Sequence, residues 1–227
     1  MGSGTKNVAL LIPAAGSGTR FGGDLPKQFI TVHGKPVLAH TLAAFAGLVD
    51  HAWLAVNDAW RDEVAAIAAA APFPCSVVTG GATRQDSVHA ALRAVSADFD
   101  LILVHDAVRP LVPPACIAAC IAALDTHPAA VLAIPCAATV KRATPAGTVA
   151  ETVPREGLWL AQTPQAFHRA IGLAAFDAAA QAGFQGTDDV QLLERAGHVV
   201  ALVTGDARNL KLTTRDDLAV ASALLAR

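Results

Sequence analysis

Four short stretches of this chain set phosphate-handling residues directly behind apolar runs. "LIPAAGSGTRFGGDLPKQF" (11–29) supplies glycines, Arg20 and Lys27, and "GGATRQDS" supplies Gly80, Gly81, Arg84 and Ser87. "HDAVRP" adds Asp106 and Arg109, and Lys211 follows a last apolar run. Glycine lets the backbone approach a ligand closely, and cations with oriented N–H groups stabilise phosphate charge. The opening loop follows neither standard nucleotide register. A dinucleotide fingerprint on Gly16 and Gly18 needs a third glycine where Phe21 stands, and a Walker loop starting at Gly18 needs lysine where Asp24 stands.

Each residue also has a plainer role. Lys27 follows Pro26, which fixes the local φ and narrows where the lysine points, but a lysine at this place also serves as a solvated charge. Asp106 is either a ligand to substrate hydroxyls or a hard cation, or a helix cap and partner for Arg109. His105 reads as packed beside its strand. Asp188 and Asp189 follow Thr187 at a helix start, where acids favour the dipole, so capping is the better reading.

These residues need a scaffold that brings strand ends together. Near-continuous apolar runs at 8–14, 52–57, 75–80, 101–107 and 129–136 alternate with helical patterns at 36–48, 62–71, 84–95 and 113–125. Pro36 stands at the first position of its helix in this reading. The alternation predicts an α/β fold, a mostly parallel Rossmann-like sheet with helices on both faces. In such sheets ligands gather at the carboxyl ends of the strands, and all four stretches lie there. After Cys136 the pattern changes. β-branched residues flank the turn signal "TPAGT", so 138–156 reads as a hairpin-like arm leaving the sheet. Helical pattern returns at 167–182 and 188–196, late strands are expected at 198–205 and 208–213, and Thr214 with Asp217 forms a capping box for the last helix.

Composition excludes several classes. The 227 residues are 53% hydrophobic and 16% charged, enough for one domain with a sizeable core. A net charge of −2 gives no basic field for nucleic acid, and with no tyrosine at all there is little stacking platform for single strands. No apolar run reaches the roughly 18 residues of a membrane helix. "MGSGTKN" lacks the apolar core of a secretory signal and is left out of the fold reasoning. Cys75, Cys116, Cys120 and Cys136 form no C-x-x-C pair and read as reduced thiols of a cytoplasmic protein. The eight histidines show no zinc spacing.

Seven stretches taken in order, namely "PAAGSGTRFGGDLPKQF", "GGATRQDSV", "VHDAVRP", "TVKRA", "PREGLWLAQTPQAF", "TDDVQLLERAG" and "NLKLTTRDDLAVA", resemble the 2-C-methyl-D-erythritol 4-phosphate cytidylyltransferases of the non-mevalonate isoprenoid pathway. The resemblance runs over residues 8–227 and implies one nucleotidyltransferase domain over 1–227, with 138–156 as a homodimerisation arm. The implied reaction transfers CMP from CTP to 2-C-methyl-D-erythritol 4-phosphate and releases pyrophosphate, with Mg2+ held mainly through the phosphates, few protein ligands expected and Asp106 the candidate among them. By motif, Pro13, Ala14, Ala15, Gly16, Gly18, Gly80, Gly81, Ser87, Asp106 and Ala107 would line the CTP site, and Arg20 and Lys27 would grip the triphosphate. Asp106, Arg109, Thr139, Arg155, Thr163, Thr187 and Lys211 would hold the acceptor, with Thr139 and Arg155 reaching the partner's site. Arg20, Lys27, Arg155 and Lys211 would be catalytic. Ala82 stands where the family often carries an acid. The rivals are the same chemistry on another polyol phosphate such as ribitol 5-phosphate, a non-catalytic nucleotide-binding module, and a dehydrogenase, which the glycine register disfavours.

Overall fold

The computed structural model describes residues 6–16 and 25–226; Gly18 and Arg20 lie outside them. The core is a seven-stranded sheet ordered β11-β7-β10-β6-β1-β4-β5. Its strands are β1 (Val8–Pro13), β4 (His51–Val56), β5 (Cys75–Thr79), β6 (Leu101–Val104), β7 (Ala129–Pro135), β10 (Trp159–His168) and β11 (Val200–Thr204). All neighbours run parallel except β10, which is antiparallel to both β6 and β7. The apolar run of β1 is buried on both sides. Leu10 and Ile12 enter one core cluster while Ala9 and Leu11 enter the other. That double burial is why β1 shows no polar alternation.

Two small ladders flank the sheet. β2 (Thr31–Val32) pairs with β3 (Lys35–Pro36), and β8 (Val140–Ala143) pairs with β9 (Val149–Val153) as a hairpin sheet of its own within the expected arm. Its turn closes where Thr144 N–H donates to the Thr148 carbonyl, with Gly147 at φ 79°. The helices are α1 (Val37–Ala43), α2 (Arg61–Ala69), α3 (Arg84–Ala94), α4 (Pro114–Ala123), α5 (Arg169–Gln181), α6 (Val190–Arg195) and α7 (Arg215–Leu225). Capping boxes start α3, from Thr83 and Asp86, and α7, from Thr214 and Asp217.

The structure corrects four readings. The expected helix over 36–48 is regular only to Ala43, and Pro36 precedes it as its cap with extended ψ. The strand expected over 101–107 stops at Val104; His105 N–H still donates to Leu11 O at 2.9 Å, and Asp106 N–H turns to the Thr163 hydroxyl. Residues 208–213 form no strand, because their polar groups are spent locally and on side chains: Asn209 N–H donates to Asp206 O, and the Asn209 amide to Gln162 and Thr163. β10 has no counterpart in the sequence pattern; helix is expected there from 167, but α5 begins at Arg169. The first residues of β10 are exposed and its middle is the irregular "QTPQ", so neither alternation nor a clean apolar run marks it.

Candidate active site

Chain order reverses at β1. From there the chain winds outward to β4 and β5, then returns to place β6 on the other side of β1. Such a switch point opens a crevice beyond the strand ends. A cleft of about 320 Å³ lies there, walled by Pro13–Gly16, Lys27, Gln28, Gly81–Arg84, Ser87, Asp106–Val108 and Lys211.

One wall is mostly main chain. Gly80 and Gly81 follow β5 because nothing larger fits. A Cβ on Gly80 would meet the Ala15 Cβ at 2.6 Å, and one on Gly81 would meet the Asp86 Cβ at 2.3 Å. Ser87 is buried; its hydroxyl accepts from Gly81 N–H at 3.1 Å and donates to Thr83 O at 2.9 Å. Gln28, also buried, donates its amide to Ala14 O at 2.9 Å and Gly16 O at 3.4 Å, so it ties the 14–16 loop to the turn carrying Lys27.

The other wall is an ion cluster. Asp106 is 6% exposed, yet three cations reach it. Arg84 Nε lies 3.1 Å from Oδ1, while Lys211 Nζ at 2.9 Å and Arg109 Nε at 3.4 Å reach Oδ2. Burial pushes the Asp106 carboxyl up, but Arg84, Lys211 and Arg109 outweigh it and hold the group below the usual carboxylate range. Both terminal nitrogens of Arg84 also grip Asp189, at 2.9 and 2.8 Å. The two aspartates at the start of α6 therefore divide their work. Asp188 accepts from Gln191 N–H as a cap, whereas Asp189, expected to cap, is spent on Arg84.

His105 sits beneath this wall with no exposure. Its Nε2 faces the Arg109 carbonyl at 3.0 Å, which can only accept, so Nε2 carries the proton. Nδ1 therefore accepts from the Thr163 hydroxyl at 3.0 Å, and that hydroxyl in turn accepts from Asp106 N–H at 3.1 Å. Burial pushes the His105 imidazole down to about 4, against the Arg109 hydrogen bond. It is a neutral strut rather than a base.

This arrangement, a glycine-walled cleft beside a carboxylate caged by cations, matches a described family. The sequence profile of 2-C-methyl-D-erythritol 4-phosphate cytidylyltransferase matches residues 8–227. The chain belongs to that family. A relative of that name from Geotalea uraniireducens is 43% identical over 226 residues, covering 96% of each chain. The bifunctional enzyme IspD/IspF of Rhodospirillum rubrum is 48% identical over 214 residues, where the match covers 93% of this chain and 55% of that protein. Among solved structures, the cytidylyltransferase of Thermus thermophilus superposes with a TM-score of 0.81 at 35% identity, covering 97% of this chain and all of that one. The 4-diphosphocytidyl-2C-methyl-D-erythritol synthase of Anaerococcus prevotii gives 0.86 at 30% identity, covering 98% and 99%.

Of the residues carried over from the cytidylyltransferase motifs, Pro13, Ala14, Ala15, Gly16, Lys27, Gly81, Ser87, Asp106, Ala107 and Lys211 line the cleft. Gly80 stands immediately behind it, and Arg109 enters through Asp106. Thr187 lines a smaller adjoining space of about 150 Å³ with Arg84. Thr163 lines neither cavity, being buried with its hydroxyl engaged as above. Thr139 and Arg155 are exposed on the arm, and Arg155 turns back onto the Ala137 carbonyl, so one chain does not bring them to the cleft. Gln28, Gln162, Gln165 and Asn209 do not stand out in the sequence as site residues, and Asp189 reads there only as a cap. Buried amides leave no periodic trace, and their partners lie far along the chain.

Proposed function

We propose that this chain makes 4-diphosphocytidyl-2-C-methyl-D-erythritol by transferring CMP from CTP to 2-C-methyl-D-erythritol 4-phosphate. The observation that carries the reading is the pairing of a main-chain glycine wall with the Arg84–Asp106–Lys211–Arg109 cluster across one cleft, in a chain of this family. An acceptor phosphate oxygen attacks the CTP α-phosphorus in line. The new P–O bond forms as the bond to the bridging oxygen breaks, and that electron pair leaves with pyrophosphate. The nucleophile is already anionic, so no strong base is needed; the barrier is repulsion between anions. Lys27 on the nucleotide wall and Lys211 on the acceptor wall counter it. The Asp106 carboxylate, held ionised, accepts hydrogen bonds from acceptor hydroxyls.

Mg2+ belongs to this reading through the phosphates. A divalent ion bound directly by Asp106 would sit among three like charges, which the electrostatics oppose. Among the described residues no group of three His, Cys, Asp or Glu side chains could hold a metal ion. A metal carried on substrate phosphates needs no such group, since Mg2+ keeps much of its water shell.

Two further points belong to the proposal. The 138–156 arm builds a homodimer in which Thr139 and Arg155 complete the partner's acceptor site; their exposure, and their not lining their own cleft, support this. The enzyme works in the cytoplasm, as its free thiols and charged substrates suit. Among the described residues no helix is long and apolar enough to cross a membrane. The test is pyrophosphate release from CTP with a panel of polyol phosphates. Turnover should be fastest with 2-C-methyl-D-erythritol 4-phosphate. Equal or faster turnover with ribitol 5-phosphate overturns the acceptor, and no release with any of them overturns the enzyme reading.

A further inference from the structure

We propose that the irregular turn Gln162–Gln165 in β10 is the anchor of the acceptor side of the cleft, with Gln162 and Gln165 as positioning residues. The inference rests on the cytidylyltransferase reading above for what the cleft holds. Opposite β7, Ala161 pairs with Ala133 and Gln165 with Val131, so three residues of β10 face one of β7. Gln165 also pairs with Val104, the last residue of β6. The excursion therefore sits at the carboxyl edge of the sheet, directly under Asp106.

The three polar side chains of this turn are buried, at 6% for Gln162, 4% for Thr163 and 2% for Gln165. Each goes to a different segment. Gln162 donates to Asp206 O at 2.9 Å and accepts from the Asn209 amide at 3.2 Å. The Asn209 amide also donates to Thr163 O, and the Asn209 main-chain carbonyl receives Arg109 Nη1 at 2.6 Å. The irregular segment carrying Lys211 is thus gripped at Asp206 and Asn209 by a buried glutamine, beside the Thr163 and Arg109 contacts to Asn209 and the Leu212 N–H bond to Val108 O. Gln162 leaves no room for a side chain at Gly205, whose Cβ would lie 2.4 Å from its Oε1. Thr163 takes Asp106 N–H. Gln165 Oε1 accepts from Asp189 N–H and Val190 N–H, both at 2.9 Å, and its amide donates to Asp188 at 3.0 Å. That fixes the segment bearing Thr187 and Asp189, and through Asp189 the guanidinium of Arg84.

One turn therefore sets Lys211, Arg109, Asp106 and Arg84 against each other. The nucleotide wall is held instead by main-chain bonds from Ala14 and Gly80 to β4 and by side-chain bonds of Gln28 and Ser87. A glutamine that only filled the core would disturb both walls alike; an anchor of one wall should disturb that wall alone.

The experiment uses Gln162→Met and Gln165→Met in the full chain, which keep side-chain length and remove the hydrogen bonds, with Gln165→Glu retaining the acceptor for the two amides. CTP binding by calorimetry, steady-state kinetics and amide hydrogen exchange are measured together. Each Met variant should raise the acceptor KM about tenfold or more while CTP affinity stays within about twofold, since small misplacements of a positioning group are costly. Gln165→Glu keeps the acceptor but turns a carboxylate oxygen onto Asp188 where the amide donates at 3.0 Å, so it should not recover the loss. Exchange should speed up at 187–190 in Gln165→Met and at 206–211 in Gln162→Met, each leaving the other segment protected. Loss of CTP binding and of protection throughout the chain would make these glutamines general core residues and overturn the proposal, as would unchanged acceptor kinetics. The exchange pattern does not depend on turnover, so a wild type inactive on the acceptor panel would defeat the activity reading while the anchoring was still tested.

Discussion

The two walls of the cleft are built on opposite plans. The nucleotide wall is local. Ala14–Gly16 and Gly80–Gly81 are loops directly after β1 and β5; Gly80 and Gly81 tolerate no Cβ, and Gln28 and Ser87 tie the loops by side-chain hydrogen bonds. The acceptor wall is assembled from afar. Asp106 meets Arg84, Arg109 and Lys211, and their supports come from residues 162–165, 189 and 209. Main-chain walls read the shape and edge of a ligand and are hard to alter by one side chain. Charged side-chain walls are adaptable but need long-range support, because a cluster of like charges holds together only around its counter-ion and its anchors.

If the contrast is right, it can be broken one wall at a time. The largest effect is expected on deleting 142–150 from the arm. The product should sediment as a monomer and bind CTP, yet lose turnover, because Arg155 is no longer placed in the partner's acceptor site. A fully active monomer would refute this.

Lys27→Ala comes next. It faces the cleft from the nucleotide side, where charge grows as the fifth oxygen bond to phosphorus forms. kcat should fall about 10²–10³-fold, roughly 3–4 kcal/mol as for a lost oxyanion donor, with CTP affinity changed much less. Lys27→Arg should recover little, because the guanidinium fork is wider than an ammonium. Lys35, in β3, is the control and should tolerate alanine. If Lys27→Ala weakens CTP binding as much as it slows turnover, the lysine is a binding cation only.

Gly81→Ala attacks the same wall by crowding rather than by charge. The 2.3 Å approach to the Asp86 Cβ forces backbone to move, and CTP binding should weaken about tenfold at the usual cost of overpacking, with the acceptor KM nearly unchanged. A larger change in acceptor KM than in CTP affinity would contradict the division.

The last test leaves turnover aside and probes the support under the acceptor wall through stability. His105 is neutral in the fold, its pKa pushed down by burial from 6.5 to about 4. Between those values the unfolded chain binds a proton that the native chain does not, so stability rises with pH across that window and is lost as pH falls. Comparing urea unfolding at pH 7.5 and 5, the wild type should lose about 2 kcal/mol more than His105→Asn, at 1.36 kcal/mol per pH unit below 6.5. Equal losses in the two proteins would show that His105 titrates normally.

The sequence determined much of this protein on its own. Apolar runs buried on both faces declared the parallel strands, the Thr214–Asp217 capping box declared the start of α7, and "TPAGT" declared the hairpin turn, since each is a local property of covalent geometry and hydration. Clustering of Gly16, Lys27, Gly81, Ser87, Asp106 and Lys211 was legible because parallel strands deliver their ends to one edge. What only the tertiary structure decided is how the acid is held. β10 slips in antiparallel between β6 and β7, interrupted by a turn that periodicity does not register. Residues 208–213, with the pattern of a strand, are held instead through Asn209, whose amide donates to Gln162 Oε1 and Thr163 O. Asp189, which local rules assign to a helix cap, is drawn to Arg84 because a buried carboxylate is better compensated by a bidentate guanidinium than by the start of a short helix.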